Sequence, residues 1–174
     1  MTSNAPSGDV PPGDGAASVT GIGLTRIDHV GVAVADLDEA IAFYERVFGM
    51  RCVHVETNTE QGVREAMLSV GPSPAGGCVQ LLAPLSPEST IAKFLERNGP
   101  GVQQVAYTVV DIDAACAALR ERGVRLLYDS PRRGTAGSRI NFVHPKDAGG
   151  VLVELVEPAD RLPDQGHEPA LSSA

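Results

Sequence analysis

The sequence lacks several features that would each indicate a different class of protein. It contains no tryptophan, and only 4% of its 174 residues are aromatic, which argues against a cavity lined with aromatic rings. It has no run of 18 apolar residues, so we expect no transmembrane helix and no membrane partner. The N-terminus has neither the basic segment nor the apolar segment of a signal peptide, which favours a cytoplasmic protein.

Positive charge is also scarce, because 14 Lys and Arg residues stand against 22 Asp and Glu residues, for a net charge of −8. This balance argues against nucleic acid as a partner. The three cysteines, Cys52, Cys78 and Cys116, form no CxxC pair, which is typical of reduced thiols in a cytoplasm. One locally basic segment, residues 131–146, is either a solvated loop and hairpin or a site for a phosphorylated or carboxylated ligand.

The chain does contain an internal repeat, whose two copies lie about 75 residues apart. One copy opens with RIDHVGVAVADLDEA and the other opens with GVQQVAYTVVDIDAA. His29 aligns with Gln104, and near the end of each copy Gln80 aligns with Glu154. Two copies of one small unit normally face each other across a pseudo-twofold axis, which would bring these four positions together in one cleft.

Each copy reads as a strand, a helix and three further strands. Asp36 and Asp111 are the expected N-caps of the two helices, and Gly49 and Gly123 are the expected ends. The further strands are predicted over residues 51–57, 63–70 and 78–85, and over 124–130, 138–144 and 151–157. We therefore predict an α+β fold in which two tandem βαβββ modules form a curved sheet around a central cleft.

The composition of the chain predicts one domain between two tails. Both ends are rich in Gly, Pro, Ser and Ala, which is typical of disordered or flexible segments. The predicted boundaries are a disordered tail over 1–22, a single domain over 23–158 (module one 23–86, a connecting helix 87–98 with Pro87 near its first turn, module two 99–158) and a flexible tail over 159–174.

The alternation of side chains along the strands identifies the residues that face the cleft. Opposite the apolar positions that pack under the helices, the cleft-facing positions include His29, Glu65, Gln80, Gln104 and Glu154. An imidazole, carboxylates and amides are unfavourable to bury in a concave sheet unless they bind something, and a metal ion would account for them together. The two aligned pairs therefore predict His29, Gln80, Gln104 and Glu154 as metal ligands.

Several polar residues have ordinary structural explanations. Glu65 has an alternative partner in Arg139, the residue that aligns with it in the repeat, and a salt bridge between them would explain its position. We interpret His54 and His144 as structural or surface residues, because they lie outside the paired positions. Because Gln103 is next to Gln104, the alternation of side chains along the strand places it on the face that packs under the helix.

Four stretches of the chain resemble the vicinal oxygen chelate superfamily and, within it, the methylmalonyl-CoA epimerase family. They lie between residues 24 and 158 and read IDHVGVAVADLDEAIAFY, EQGVREAML, VQLLAPLSPESTIAKFL and SRINFVHPKDAGGVLVELVEP. EQGVREAML and NFVHPKDAGGVLVELVEP are specific to the epimerases. The resemblance implies a homodimeric enzyme of paired βαβββ modules that binds a small-molecule acyl-CoA substrate and a divalent metal ion: cobalt, manganese or magnesium.

The resemblance also implies roles for individual residues. The implied metal ligands are His29, Gln80, Gln104 and Glu154. Glu65 would be an acid/base group, and Glu154 would be its partner on the opposite face of the substrate. At Gln104 the family most often has a histidine, and an amide oxygen there favours magnesium, manganese or cobalt over zinc. Gln61 and Arg139 are candidates for contacts to the substrate.

The implied activity is the interconversion of (R)- and (S)-methylmalonyl-CoA. One carboxylate would remove the α-proton, the metal would stabilise the enolate, and the other carboxylate would return a proton on the opposite face. Two alternatives remain open. One is another metal-dependent enzyme of the superfamily, either a glyoxalase-like isomerase or a dioxygenase, although a dioxygenase site needs two histidines. The other is a metal-free module that binds small molecules.

Overall fold

The computed structural model describes residues 21–73 and 76–159 of the chain. Nearly all of the two predicted tails, 1–22 and 159–174, lies outside these described residues. In the part that is described, eight strands form a single sheet and three α-helices pack beside it. None of these helices is long and apolar enough to cross a membrane.

The elements follow the predicted order of two tandem modules. Module one contains β1 (Leu24–Ala33), α1 (Leu37–Phe48), β2 (Arg51–Asn58), β3 (Val63–Ser69) and β4 (Cys78–Pro84). The connecting helix is α2 (Thr90–Asn98). Module two contains β5 (Gly101–Val109), α3 (Ile112–Glu121), β6 (Arg132–Arg133), β7 (Arg139–Val143) and β8 (Val153–Glu157). The α+β fold with two βαβββ modules is confirmed.

The strand order of the sheet is β2-β3-β4-β1-β5-β8-β7-β6. β1 and β5 are antiparallel at the centre, while β4 lies parallel to β1 and β8 lies parallel to β5. The order of strands in one half is therefore reversed in the other, as a pseudo-twofold axis between β1 and β5 requires. The first and last strands of both modules lie side by side in the middle of the sheet.

The first helix of each module begins at its predicted N-cap. The Asp36 side chain accepts a hydrogen bond from the Glu39 backbone N–H at 2.9 Å, and Asp111 accepts one from the Ala114 backbone N–H at 2.9 Å. Each carboxylate thereby satisfies a backbone donor that the first helical turn leaves unpaired. α1 ends at Gly49, whose φ of 64° lies in the left-handed region that glycine favours.

The connecting helix begins later than predicted. Ser89 is its N-cap and accepts a hydrogen bond from the Ala92 backbone N–H at 3.1 Å. Because the hydroxyl of Ser89 pairs with a backbone N–H that the first helical turn leaves free, the helix starts at Thr90 and Pro87 lies outside it.

The second strand of module two also differs from the prediction. Residues 124–130 form only an isolated bridge to β7, and the strand that follows, β6, has two residues. The Asn141 side chain donates to the Tyr128 carbonyl at 3.0 Å and accepts from the Tyr128 N–H at 3.2 Å. This amide takes both backbone groups that a neighbouring strand would otherwise pair, so the ladder stops there.

Two of the hydrophobic clusters lie one in each module, on the face of the sheet that α1 and α3 cover. Under α1 the buried residues are Val34, Leu37, Ala66, Leu68, Leu81 and Ala83. Under α3 they are Val109, Ile112, Ala115, Cys116, Leu119, Val143 and Leu155. The opposite, concave face carries polar residues between two smaller apolar clusters: Ala33, Val63, Leu82 and Ile91, the last of these on α2, and Ala106, Ile140, Phe142 and Val156.

Candidate active site

Five polar side chains from five central strands form one buried group on the concave face. None of them is more than 5% exposed: His29 on β1, Glu65 on β3, Gln80 on β4, Gln104 on β5 and Glu154 on β8. The structure thus brings together all the residues for which the sequence predicted a metal or an acid/base role. No buried side-chain nitrogen or oxygen among the described residues lacks a hydrogen-bond partner, so the group is internally satisfied.

A continuous chain of hydrogen bonds connects these five side chains. Glu154 Oε2 accepts from Gln104 Nε2 at 2.8 Å and from His29 Nε2 at 3.2 Å. Gln104 Nε2 also donates to Gln80 Oε1 at 3.2 Å, and Gln80 Nε2 donates to Glu65 Oε2 at 2.9 Å. The two carboxylates therefore lie at opposite sides of a pair of amides.

Two small residues on the central strands make room for this network. Gly31 lies between Gln80 and Gln104 in the register of the sheet, and Ala106 lies between His29 and Glu154. A Cβ atom at position 31 would lie 2.6 Å from Gln104 Cδ, closer than real contacts allow. The missing side chain of Gly31 therefore permits the Gln104 amide to lie across β1.

Asp28, which the sequence reasoning did not select, orients the imidazole of His29. Its Oδ1 accepts from His29 Nδ1 at 3.0 Å, and its Oδ2 accepts from Thr108 Oγ1 at 2.7 Å. Burial lowers the pKa of His29, but the hydrogen bonds and charges of Asp28 and Glu154 outweigh it and raise the pKa to about 9. Both ring nitrogens therefore donate to carboxylates in this arrangement.

Burial and the neighbouring carboxylates favour the protonated form of Glu65. Burial raises its pKa to about 7, and the charges of Glu56 and Glu154 act in the same direction, although a hydrogen bond from Thr135 lowers it. Thr135 Oγ1 donates to Glu65 Oε1 at 2.9 Å. A carboxyl group with a pKa near neutrality can both accept and donate a proton at physiological pH, as acid/base chemistry requires.

Arg139 does not join this group. Its guanidinium pairs with Asp113 at 2.7 Å and with Glu157 at 3.4 Å, at the surface of module two. The salt bridge to Glu65 that we considered as an alternative is therefore wrong, because the arginine is committed to other carboxylates. Nor does the structure bring Arg139 to a cavity beside the network, where a substrate contact would have to lie.

A cavity of about 360 Å³ lies on one side of the network. Its lining includes Gln61, Gln80, Gln104, Glu154, Tyr128, Arg132 and Thr135. The Arg132 guanidinium lies 4.0 Å from the centre of the Tyr128 ring, so a cation from the basic segment is held at the wall of this cavity. Gln61, a candidate for substrate contact, also lines it.

Gln103 lines the same cavity, although its parity predicted the side that packs under the helix. In the register of the sheet, Gly31 pairs with Gln104 and the next residue, Val32, pairs with Val102. Gln103 is therefore the extra residue of a β-bulge, where the alternation of faces breaks down. This prediction was wrong because parity alone cannot locate a bulge.

A second cavity of about 320 Å³ lies on the other side of the network. It is lined by His29, His54, Met67, Cys78 and Val156, and it shares Thr135 and Glu154 with the first cavity. The buried network thus separates two cavities that each reach the solvent.

The chemistry of the donor set fits a small cation that prefers oxygen. It offers one imidazole nitrogen, one carboxylate and two amides that could each present an oxygen. The described residues contain no group of three or more His, Cys, Asp and Glu side chains that could hold a metal ion. A site here would therefore need both amides, from Gln80 and Gln104, to complete the ligand set.

Two neighbours of the network were missed by the sequence reasoning. Asp28 could have been found, since a histidine ligand commonly donates its other ring N–H to a carboxylate and an Asp precedes His29 directly. Thr135 gives no such signal, because it lies in a loop whose residues have no periodicity.

Comparison with known proteins identifies the superfamily and the epimerase family that the four stretches of the sequence resemble. The family model described as the glyoxalase/bleomycin resistance protein/dioxygenase superfamily matches residues 28–142. The ethylmalonyl-CoA/methylmalonyl-CoA epimerase of Cereibacter sphaeroides is 37% identical over 76% of this chain and 97% of that protein.

Solved structures of other epimerases match over most of the chain. The methylmalonyl-CoA epimerase of Mycobacterium tuberculosis is 58% identical, with a TM-score of 0.78 over 83% of this chain and 94% of that one. A variant of the Streptomyces coelicolor methylmalonyl-CoA epimerase in complex with 2-nitronate-propionyl-CoA is 50% identical, with a TM-score of 0.75 over 79% of this chain and 99% of that one.

Proposed function

Because the chain belongs to the methylmalonyl-CoA epimerase family of the glyoxalase/bleomycin resistance protein/dioxygenase superfamily, we propose that it interconverts (R)- and (S)-methylmalonyl-CoA. The protein is an enzyme of the isomerase class. One observation carries the assignment: two buried carboxylates, Glu65 and Glu154, lie in a single hydrogen-bonded network beside a cavity. Two such groups suit epimerisation, since one can remove a proton from one face of the α-carbon while the other delivers a proton to the opposite face.

The two carboxylates divide the proton transfer between them. In one direction Glu65 accepts the α-proton while Glu154 donates a proton to the other face, and in the reverse direction their roles exchange. The amides of Gln80 and Gln104 lie between them and hold both carboxylates in place. Burial limits competing hydrogen bonds from water, which keeps each carboxylate available for transfer.

We propose that His29, Gln80, Gln104 and Glu154 hold a divalent metal ion. When bound, the ion would stabilise the negative charge that develops on the thioester oxygen. Magnesium, manganese and cobalt suit this oxygen-rich donor set better than zinc does.

The substrate would bind in the first cavity. Its wall carries Arg132, a positive group in a protein of net charge −8, which would attract the carboxylate or the phosphates of an acyl-CoA. Gln61 and Gln103 offer amides on the same wall. A relative in the same family binds 2-nitronate-propionyl-CoA, which supports an acyl-CoA ligand for this chain.

The expected homodimer and the cytoplasmic location remain proposals. An apolar group on α1, Phe43, Val47 and Phe48, is between 45% and 59% exposed, which supports an interface on that helix. The cysteines of the described residues are all free, which supports a reducing compartment. Light scattering of the purified full-length protein would test the dimer.

The proposed activity is tested by incubating the purified protein with one epimer of methylmalonyl-CoA and following the other by chiral analysis. Conversion to an equal mixture is expected, with faster conversion after addition of cobalt. A preparation that binds methylmalonyl-CoA without converting it would contradict the proposal and favour the binding module.

A further inference from the structure

If the proposed function holds, Glu65 faces a problem that the two-carboxylate scheme does not solve. After each turnover in one direction Glu65 carries the proton from the substrate, whereas Glu154 has lost its own. The next turnover in that direction requires Glu65 to release its proton to solvent. Glu65 is only 2% exposed, and both of its oxygens accept hydrogen bonds, from Thr135 and from Gln80.

A second carboxylate lies directly beside it. Glu56 on β2 is the cross-strand partner of Glu65 on β3, so both side chains point from the same face of the sheet. Directly opposed residues of an antiparallel pair have Cβ atoms about 5 Å apart. Because β2 and β3 are neighbouring strands, the two carboxyl groups are adjacent on this face, and a hydrogen bond between them contributes to the pKa of both.

Glu56 in turn is hydrogen-bonded to His54. The Nε2 of His54 and Oε2 of Glu56 are joined by a hydrogen bond, and the two residues lie two positions apart on the edge strand β2. The exposed fraction of the side chain rises from Glu56, at 25%, to His54, at 38%. Carboxyl, carboxylate and imidazole therefore form a row that leads from the buried base to the surface.

The loop between β6 and β7 holds Glu56 and Glu65 in position. The Ala136 N–H donates to Oε2 of Glu56 at 3.1 Å, next to the bond from Thr135 to Glu65. Consecutive residues of one turn thus fix both carboxylates, although Glu56 and Ala136 are 80 residues apart in the chain. Among the described residues, neither Glu56 nor His54 hydrogen-bonds to a candidate metal ligand.

The row ends at the second cavity, not at the one that would hold the acyl group. His54 lines the second cavity, and the first cavity does not include it. A proton can therefore leave through this row while a CoA thioester blocks the first cavity.

We propose that Glu56 and His54 form a proton relay that returns Glu65 to its ionised state between turnovers. The O–H bond of protonated Glu65 breaks as an O–H bond forms on Glu56. Glu56 then passes a proton to Nε2 of His54 in the tautomer that is protonated on Nδ1, and the Nδ1 proton passes to water. The same steps in reverse load Glu65 when it serves as the acid.

The relay is tested with Glu56→Gln, which keeps the shape of the side chain but cannot carry a proton. Steady-state turnover of one methylmalonyl-CoA epimer should show kcat reduced about tenfold or more, with kcat/KM within about twofold of wild type, because only the reset step is slowed. A single turnover with enzyme in excess should proceed at the wild-type rate, and added imidazole buffer should restore part of kcat. His54→Gln should show a smaller loss of the same kind, and Glu96→Gln, an exposed glutamate of α2, serves as the control.

Unchanged kcat in both Glu56→Gln and His54→Gln would overturn the relay and leave the proposed function intact. Equal losses in kcat, kcat/KM and the single-turnover rate, without rescue by imidazole, would also overturn it, since they indicate a structural role. If Glu56→Gln fails to fold, His54→Gln decides by the same criteria. Absence of epimerisation by the wild-type protein would overturn the proposed function and the relay with it.

Discussion

At the scale of single residues, the site distinguishes two glutamates by what surrounds them. Glu154 accepts hydrogen bonds from the imidazole of His29 and the amide of Gln104, two residues that are proposed as metal ligands together with it. Glu65 contacts an amide, a hydroxyl and a second carboxyl group, and burial raises its pKa to about 7. Identical side chains therefore have different tasks in the proposed mechanism.

Glu65→Gln and Glu154→Gln should have separable effects. Glu65→Gln should reduce epimerisation on the order of 10²- to 10⁴-fold while cobalt still binds, because Glu65 is assigned proton transfer alone. Glu154→Gln should lose cobalt affinity as well as turnover, because one carboxylate serves both tasks. Calorimetric titration of cobalt into each apoprotein, beside a turnover assay, separates them. Near-normal turnover in Glu65→Gln would remove Glu65 from the mechanism.

Gly31 is expected to be essential to the site because it makes space for Gln104. In Gly31→Ala the new methyl group would meet the Gln104 amide, so cobalt affinity and turnover should fall together. Overpacking of this kind should lower the free energy of unfolding by about 1–3 kcal/mol. The matched control is Gly101→Ala on the same pair of strands, since a Cβ there meets nothing within 4 Å. Equal cobalt affinity in the two variants would show that Gln104 does not reach the metal.

At the scale of elements, the repeat provides matched pairs for experiment. Asp36→Ala and Asp111→Ala remove equivalent caps from α1 and α3, whose hydrogen bonds have the same length of 2.9 Å. Each should lower the free energy of unfolding by about 1 kcal/mol and leave kcat unchanged. Denaturant unfolding checks the first expectation and steady-state turnover checks the second. A loss of turnover in either variant would mean that the helix orients the site directly.

The elements also show what the sequence could predict and what it could not. The alternation of apolar and polar residues predicted that five side chains lie on the concave face, because successive side chains of a strand point to opposite faces of the sheet. The bulge at Gln103 and the interrupted strand at 124–130 escaped prediction. Both depend on tertiary contacts, such as the hydrogen bonds of Asn141 to Tyr128, that leave no periodic signal.

At the scale of the whole molecule, the site exists because two modules share one axis. The first and last strands of each module meet in the centre of the sheet, so both modules supply the network: three side chains come from module one and two from module two. The repeat aligned His29 with Gln104 and Gln80 with Glu154, and these differences in chemistry create an asymmetric site on a symmetric frame. The loop residue Thr135 and the pair of Glu56 with His54 became visible only once the modules faced each other.

The central claim is that two carboxylates exchange the α-proton of methylmalonyl-CoA from opposite faces. It is tested most directly by incubating one epimer with the protein in deuterium oxide and following deuterium at the α-carbon by mass spectrometry and NMR. The wild-type protein should incorporate deuterium as it converts the epimer, faster with added cobalt, and Glu65→Gln should exchange one epimer without converting it. Conversion of the epimer with full retention of the original proton would contradict the account, because it would require a single base acting on both faces.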